Sequence, residues 1–296
     1  MDLTAYEDFT YLDITVDDGV ALVEITHPEY NMRGHYELNA IWHLIERDPQ
    51  VRATLLTWAV PPSKEPPAPH YPAELGPEAR EADPGQWWAD WQWPIREARE
   101  GTRNVLDSNK IVVSALRGSV PYGSGLILAT VADVSIAADD AIIADRHIDA
   151  GMVVGDGAVH WMLSCGVQKA KLLALSAEEI TGADAADIGL VSMSVPDERV
   201  MEKAWEYARK FAEGPQHALG YTKRAFNSWL RLGNLVSFEV SNAWAIANIQ
   251  ADPDVVVAAG WEKAGQGQPR GYDVNTRPAM PSASSRIGPN RFAPRP

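Results

Sequence analysis

The order of apolar and polar positions changes period along the chain, and each change marks an element. Residues 11–26, YLDITVDDGVALVEIT, alternate apolar and polar side chains in two runs joined at Asp18-Gly19, the pattern of a β-hairpin with a two-residue turn. In HYELNAIWHLIERDP the apolar residues Leu38, Ile41, Trp42 and Ile45 recur at helical spacing, which predicts a helix ended by Pro49. VRATLLTWAV reads as a buried strand. Further on, IREAREGTRNVLDS predicts a helix, KIVVSALRG a strand, SVPYGSG a turn that opens the helix LILATVAD, and VSIAAD another strand. Short apolar strands that alternate with helices across residues 105–175 predict repeated βα or ββα units and an α/β fold. From about residue 200 to 250 the pattern is helical throughout, in MEKAWEYARKFAEG and YTKRAFNSWLRLGNLVSFEVSNAWAIANIQ.

Two stretches break this rhythm. Residues 61–94 hold nine prolines and four tryptophans. Proline has no amide donor for a ladder, so the segment cannot be a sheet interior and reads as a long surface excursion. Trp87, Trp88, Trp91 and Trp93 are costly to leave in water, which favours a lid over a substrate pocket; packing on the body or on a neighbouring subunit is the alternative. The last 36 residues, from Trp261, have little periodicity and carry six basic against two acidic residues. Disorder is the compositional expectation there, and a basic tail would also suit an adjacent acidic subunit. The expected organisation is a core over 1–199 with the insertion 61–94, a helical region over 200–260 and a tail over 261–296.

Composition narrows the function classes. With 46% hydrophobic and 22% charged residues the chain, 296 residues long, is globular and long enough for a substantial core. A net charge of −14 repels phosphate backbones and acidic membranes, so a nucleic-acid or membrane partner is not expected and a small-molecule substrate is. The start MDLTAYEDFTYLD lacks the basic and apolar regions of a signal peptide, and a cytoplasmic location is expected. The one cysteine, Cys165, allows no internal disulfide and reads as helix packing. His27, His43, His70 and His217 show no metal-ligand spacing, so neither a metal nor a cofactor is expected.

The stretch ADRHIDAGMVVGDGAVHW places His147 nine residues before Asp156 in a small, apolar, glycine-rich run. A lone histidine in such a run is commonly a satisfied core residue, and an aspartate between glycines is commonly a turn residue. As a pair, they have the composition of a base and its orienting carboxylate. His160, on the helix that follows, reads as structural.

The order of motifs resembles the crotonase (enoyl-CoA hydratase/isomerase) superfamily over roughly residues 10–250. GVALVEITHPEYN, KIVVSALRGSVPYGSGLILATVADVSIAADDAIIAD and ITGADAADIGLVSMSVPDE carry the resemblance. It implies a spiral of ββα repeats with a C-terminal helical trimerisation region, and assembly as a homotrimer or a dimer of trimers. It also implies enolate stabilisation by two backbone amides, one of them at Ser124 and Gly125 where the glycine-rich turn opens a helix. The other would lie just after the third strand, where this chain reads WAVPPSKEPPAP; Ala59, Val60 and Glu65 are the candidates, because the prolines have no N–H to give. The two glutamates of the family's hydratases fall at Ile127 and His147, which leaves no carboxylate pair for addition of water to an enoyl thioester.

The β-diketone hydrolase branch, typified by 6-oxocamphor hydrolase, is the most similar part of the superfamily. RHIDAGMVVGDGAVHW looks like its histidine and aspartate stretch, so that the resemblance makes His147 and Asp156 the catalytic dyad, and HYEL places His35 in its pocket. Tyr122 in the glycine-rich turn, together with Trp88 and Trp91, is expected to line that pocket. The branch's histidine at the turn is missing from YGSG, and its glutamate on a late helix falls near Trp244, with Glu239 the nearest acid. These residues imply a retro-Claisen hydrolase of a hydrophobic cyclic ketone. A lyase, hydratase or isomerase of coenzyme A thioesters, or a non-catalytic subunit of the same fold, are the competing expectations.

Overall fold

The computed structural model describes residues 3–26, 32–59, 77–120, 124–148, 153–154 and 160–230, and the single residue 247. β1 (Leu12–Asp17) and β2 (Val20–Ile25) form the expected hairpin, with Asp17 opposite Val20 and both turn residues at positive φ, 52° for Asp18 and 80° for Gly19. That conformation matches the twist of the flanking strands and is the reason Asp-Gly is favoured there. α1 (Met32–Arg47) and β3 (Ala53–Trp58) follow as expected, and every residue of β3 is buried.

α2 (Pro77–Ala82) and α3 (Pro84–Asp107) correct the expectation of an irregular excursion through residue 94. The helix expected from residue 95 begins instead at Pro84. The reason is local: Asp83 caps it by accepting from the amides of Gly85 and Gln86, both at 3.0 Å, and Pro84 occupies the first helical position, where no amide donor is required. Trp87 is buried beneath the Arg80 guanidinium, which lies 5.6 Å from its ring centre.

β4 (Ile111–Leu116), β5 (Ser119–Val120), α4 (Ser124–Val131), β6 (Val134–Ala138) and β7 (Ile142–Ile143) make up the middle of the chain. Then come α5 (Trp161–Cys165), α6 (Val167–Ser176), β8 (Ile180–Thr181), α7 (Gly182–Asp187), β9 (Met193–Val195), α8 (Asp197–Glu213) and α9 (Gln216–Leu230). One sheet of six strands runs β1-β2-β3-β4-β6-β9, parallel except for the β1/β2 hairpin. A second sheet of three runs β5-β7-β8.

Strand alternation sends side chains to two cores. Leu55, Val113, Ala115 and Ile136 face Val200, Ala204, Ala208 and Ala212 of α8, whose small residues every fourth position let the helix lie close on the sheet. Leu56, Trp58, Val112 and Leu116 face the other way, toward Leu38, Ile41, Trp42, Ile45 of α1 and Leu126 and Leu128 of α4. The ITGADAADIGLV stretch has a physical reading. Thr181 and Asp184 form a capping box, and a Cβ on Gly182 would stand 1.9 Å from the Ala138 carbonyl oxygen, so only glycine lets α7 meet the end of β6.

Candidate active site

Four chain segments converge where β2 and β3 end. Parallel pairing sets Ile25 beside Trp58 at the ends of those strands. The start of α4 sits directly on them: a Cβ on Gly125 would be 3.1 Å from Cζ2 of Trp58 and 3.4 Å from Cδ1 of Ile25. Ser124 and Gly125 thus open a helix whose first amides have no partner within the helix itself. β5 and β7 are also parallel, with Val120 beside Ile143, so the chain that leaves β5 for α4 and the chain that leaves β7 for His147 depart from the same end.

His147 is buried, and its partner is a residue the sequence reading passed over. Nδ1 of His147 lies 2.5 Å from Oδ1 of Asp145, and the backbone amide of His147 donates to that same oxygen at 3.1 Å. An ionised carboxylate can only accept, so the contact suits a His147 ring that carries its proton on Nδ1. An Asp two residues before its partner is a familiar local arrangement in turns, so the D-x-H spacing was the available signal. The neighbouring Arg146 is ion-paired with Glu179, in the turn between α6 and β8.

His35, in the first turn of α1, is brought to the same place. Burial pushes its pKa down to about 3, and the charge of nearby His147 adds to the shift, so the ring is neutral across the physiological range. Glu37, two residues on, has a structural duty: its buried carboxylate accepts from the amides of Thr10, Tyr11 and Leu12 and so ties α1 to the chain entering β1. His160 is buried in a network with Thr130 of α4, whose hydroxyl lies 2.9 Å from Nε2 of His160 and accepts from the Trp161 indole at 3.2 Å.

Ala59 is corrected as an oxyanion donor. Its amide donates to the Ile25 carbonyl at 3.0 Å, continuing the β2/β3 ladder, so it is engaged inside the sheet. The other proposed second donors, Val60 and Glu65, fall outside the described residues, as do Asp156, Tyr122, Glu239 and Trp244 and the side chains of Ser124, Trp88 and Trp91. A cavity of about 720 Å³ lies elsewhere, beside Val51 and Asn109 where the chain enters β3 and β4, and holds none of the candidate residues. Among the described residues no group of three or more His, Cys, Asp or Glu is placed to hold a metal ion, and no helix is long and apolar enough to cross a membrane.

An α/β fold built on a mixed sheet flanked by helices is that of a crotonase-type protein. The chain belongs to the enoyl-CoA hydratase/isomerase family, whose description matches residues 89–247, just over half of its length. A probable enoyl-CoA hydratase of Mycobacterium avium (strain 104) is 31% identical over 145 residues, which cover 49% of this chain and 56% of that relative. The chain thus spans about half the length of the curated relatives it matches. Among solved structures, an enoyl-CoA hydratase/isomerase from Mycobacterium paratuberculosis superimposes with a TM-score of 0.71 at 25% identity, covering 86% of this chain and 96% of that one. A beta-diketone hydrolase from the cyanobacterium Anabaena, bound to (S)-3-oxocyclohexyl acetic acid, shares the fold with a TM-score of 0.69 at 21% identity, covering 88% of this chain and 99% of that one.

Proposed function

We propose that the protein is a carbon–carbon bond hydrolase that opens a cyclic β-diketone by a retro-Claisen reaction. The observation that carries this reading is His147, buried with a carboxylate on Nδ1 and beside a neutral His35. Nε2 of His147 is the ring nitrogen that gains and loses a proton. It takes one from water as the oxygen adds to a carbonyl carbon of the substrate. The tetrahedral alkoxide collapses, the bond to the central carbon breaks, and its electron pair moves into the second carbonyl as an enolate. Amides at the start of α4 stabilise that oxyanion, each worth a few kcal/mol in a site closed to water. The proton on His147 then passes to carbon, and the product is a single ring-opened keto acid that carries both the ketone and the new carboxylic acid. His35, being neutral, polarises a carbonyl by donating a hydrogen bond. Asp156 enters as a second acid of the site, on the resemblance to the β-diketone hydrolases.

A second reading, hydration or isomerisation of a coenzyme A thioester, is favoured by the name of the Mycobacterium avium relative. Incubation with a panel of cyclic 1,3-diketones in heavy-oxygen water, followed by mass spectrometry, separates the two. Label in a new carboxylate is expected, with His147→Ala lowering kcat at least about a hundredfold and leaving the far-UV circular dichroism unchanged. Turnover of enoyl thioesters without any diketone cleavage establishes the second reading and overturns the first. Failure of both substrates to react overturns both in favour of a non-catalytic subunit.

A further inference from the structure

We infer that Asp145 is the positioning residue for His147: its carboxylate, rather than that of Asp156, holds the Nδ1 proton and so decides which ring nitrogen does the chemistry. The inference rests on the reading of His147 as the base. Its grounds are local and independent of substrate. One oxygen of Asp145 accepts from both the main chain and the ring of His147, at 3.1 and 2.5 Å, so backbone and imidazole are set together by a single group. The Asp145 side chain is 1% exposed and that of His147 8%, so water does not compete for the bond. A carboxylate so buried costs several kcal/mol unless donors reach it, and His147 supplies two of them.

The flanking contacts keep the pair in register. Arg146, between the two, pairs with Glu179 in the α6–β8 turn and so ties this segment to a second part of the chain. His35 approaches His147 from α1, a different element. An imidazole has a single Nδ1. With Asp145 on it, the proton that moves during the reaction is the one on Nε2. Asp145 touches neither water nor substrate in this scheme; it acts by orienting His147 and by favouring its protonated form.

Proton NMR of the whole protein without substrate tests this directly, because a ring proton shared with a buried carboxylate resonates far downfield. The resonance is expected in the native protein, absent from His147→Ala and Asp145→Asn, and retained in Asp156→Asn. Asp145→Asn keeps the shape of the side chain and an acceptor for the His147 amide but removes the charge; kcat is expected to fall about ten- to a hundredfold with KM within about twofold. Loss of the resonance in Asp156→Asn, or its survival in Asp145→Asn, overturns the inference. Should Asp145→Asn fail to fold, the Asp156→Asn spectrum alone decides, since retention supports Asp145 and loss excludes it. Because the spectrum needs no turnover, absence of diketone cleavage counts against the proposed reaction and not against the pairing.

Discussion

Lys223 with Asp133, and His147 with Asp145, are both acid–base contacts held largely out of water, one placed before the start of β6 and the other after the end of β7. Lys223 lies 2.7 Å from Asp133 and also donates to the Lys110 carbonyl at 3.0 Å, while Asp133 accepts from the Val112 amide at 2.8 Å. The contacts of that pair reach the residues at the starts of β4 and β6, so it staples α9 to the sheet. Burial pushes the Asp133 carboxyl up, against the pull of the Lys223 ammonium. In the second pair the carboxylate meets a histidine, the side chain acid–base chemistry most often uses, and a second histidine from another element stands beside it. The first pair is a clamp between an ammonium and a carboxylate, and the second a candidate acid–base device.

The largest effect is expected at the clamp. Lys223→Met leaves Asp133 buried without its cation and should lower stability by about 3–5 kcal/mol in urea unfolding, with kcat per folded molecule within about twofold. A collapse of turnover at unchanged stability would erase the contrast between the two pairs.

Next comes the acid sensitivity of the site. His35 takes up a proton near 6.5 in the unfolded chain but only near 3 when folded. The unfolded state therefore binds more protons between these values, so the stability present above about pH 6.5 is lost as pH falls toward 3. His35→Gln should flatten that part of the curve, measured by urea unfolding at a series of pH values; an unchanged slope would place the acid sensitivity elsewhere.

The smallest effect is expected at the start of α4. Gly125→Ala puts a methyl group 3.1 Å from the buried Trp58 ring and should cost about 1 kcal/mol. Combining it with Trp58→Phe should recover part of that cost relative to the sum of the single changes, since the two residues touch. Simple additivity in thermal unfolding would show that α4 is positioned by other contacts.

Much of this architecture was legible in the linear pattern because it is set by rules that act over a few residues. Asp18-Gly19 demanded its hairpin, and the short apolar runs in ATLLTW and IVVSAL their buried strands. The start of α3 was misplaced because nine prolines outweighed a cap that involves only Asp83 and the two amides beyond Pro84. The contact of Asp145 with His147 leaves no mark in the periodicity of the chain, because a D-x-H spacing is common in turns whether or not the two side chains meet.

What the sequence by itself determined, then, is the set of elements, the family, and the histidines to watch, through periodicity, capping and turn chemistry. The tertiary structure decided which groups those histidines meet and which amides are taken up inside the sheet. Strand register gave the Ala59 amide to Ile25, the packing of α1 carried His35 to His147, and Gly125 came to rest on Trp58. Such assignments join residues far apart in the chain, where every backbone donor and every buried charge must find a partner in three dimensions and no local pattern records the choice.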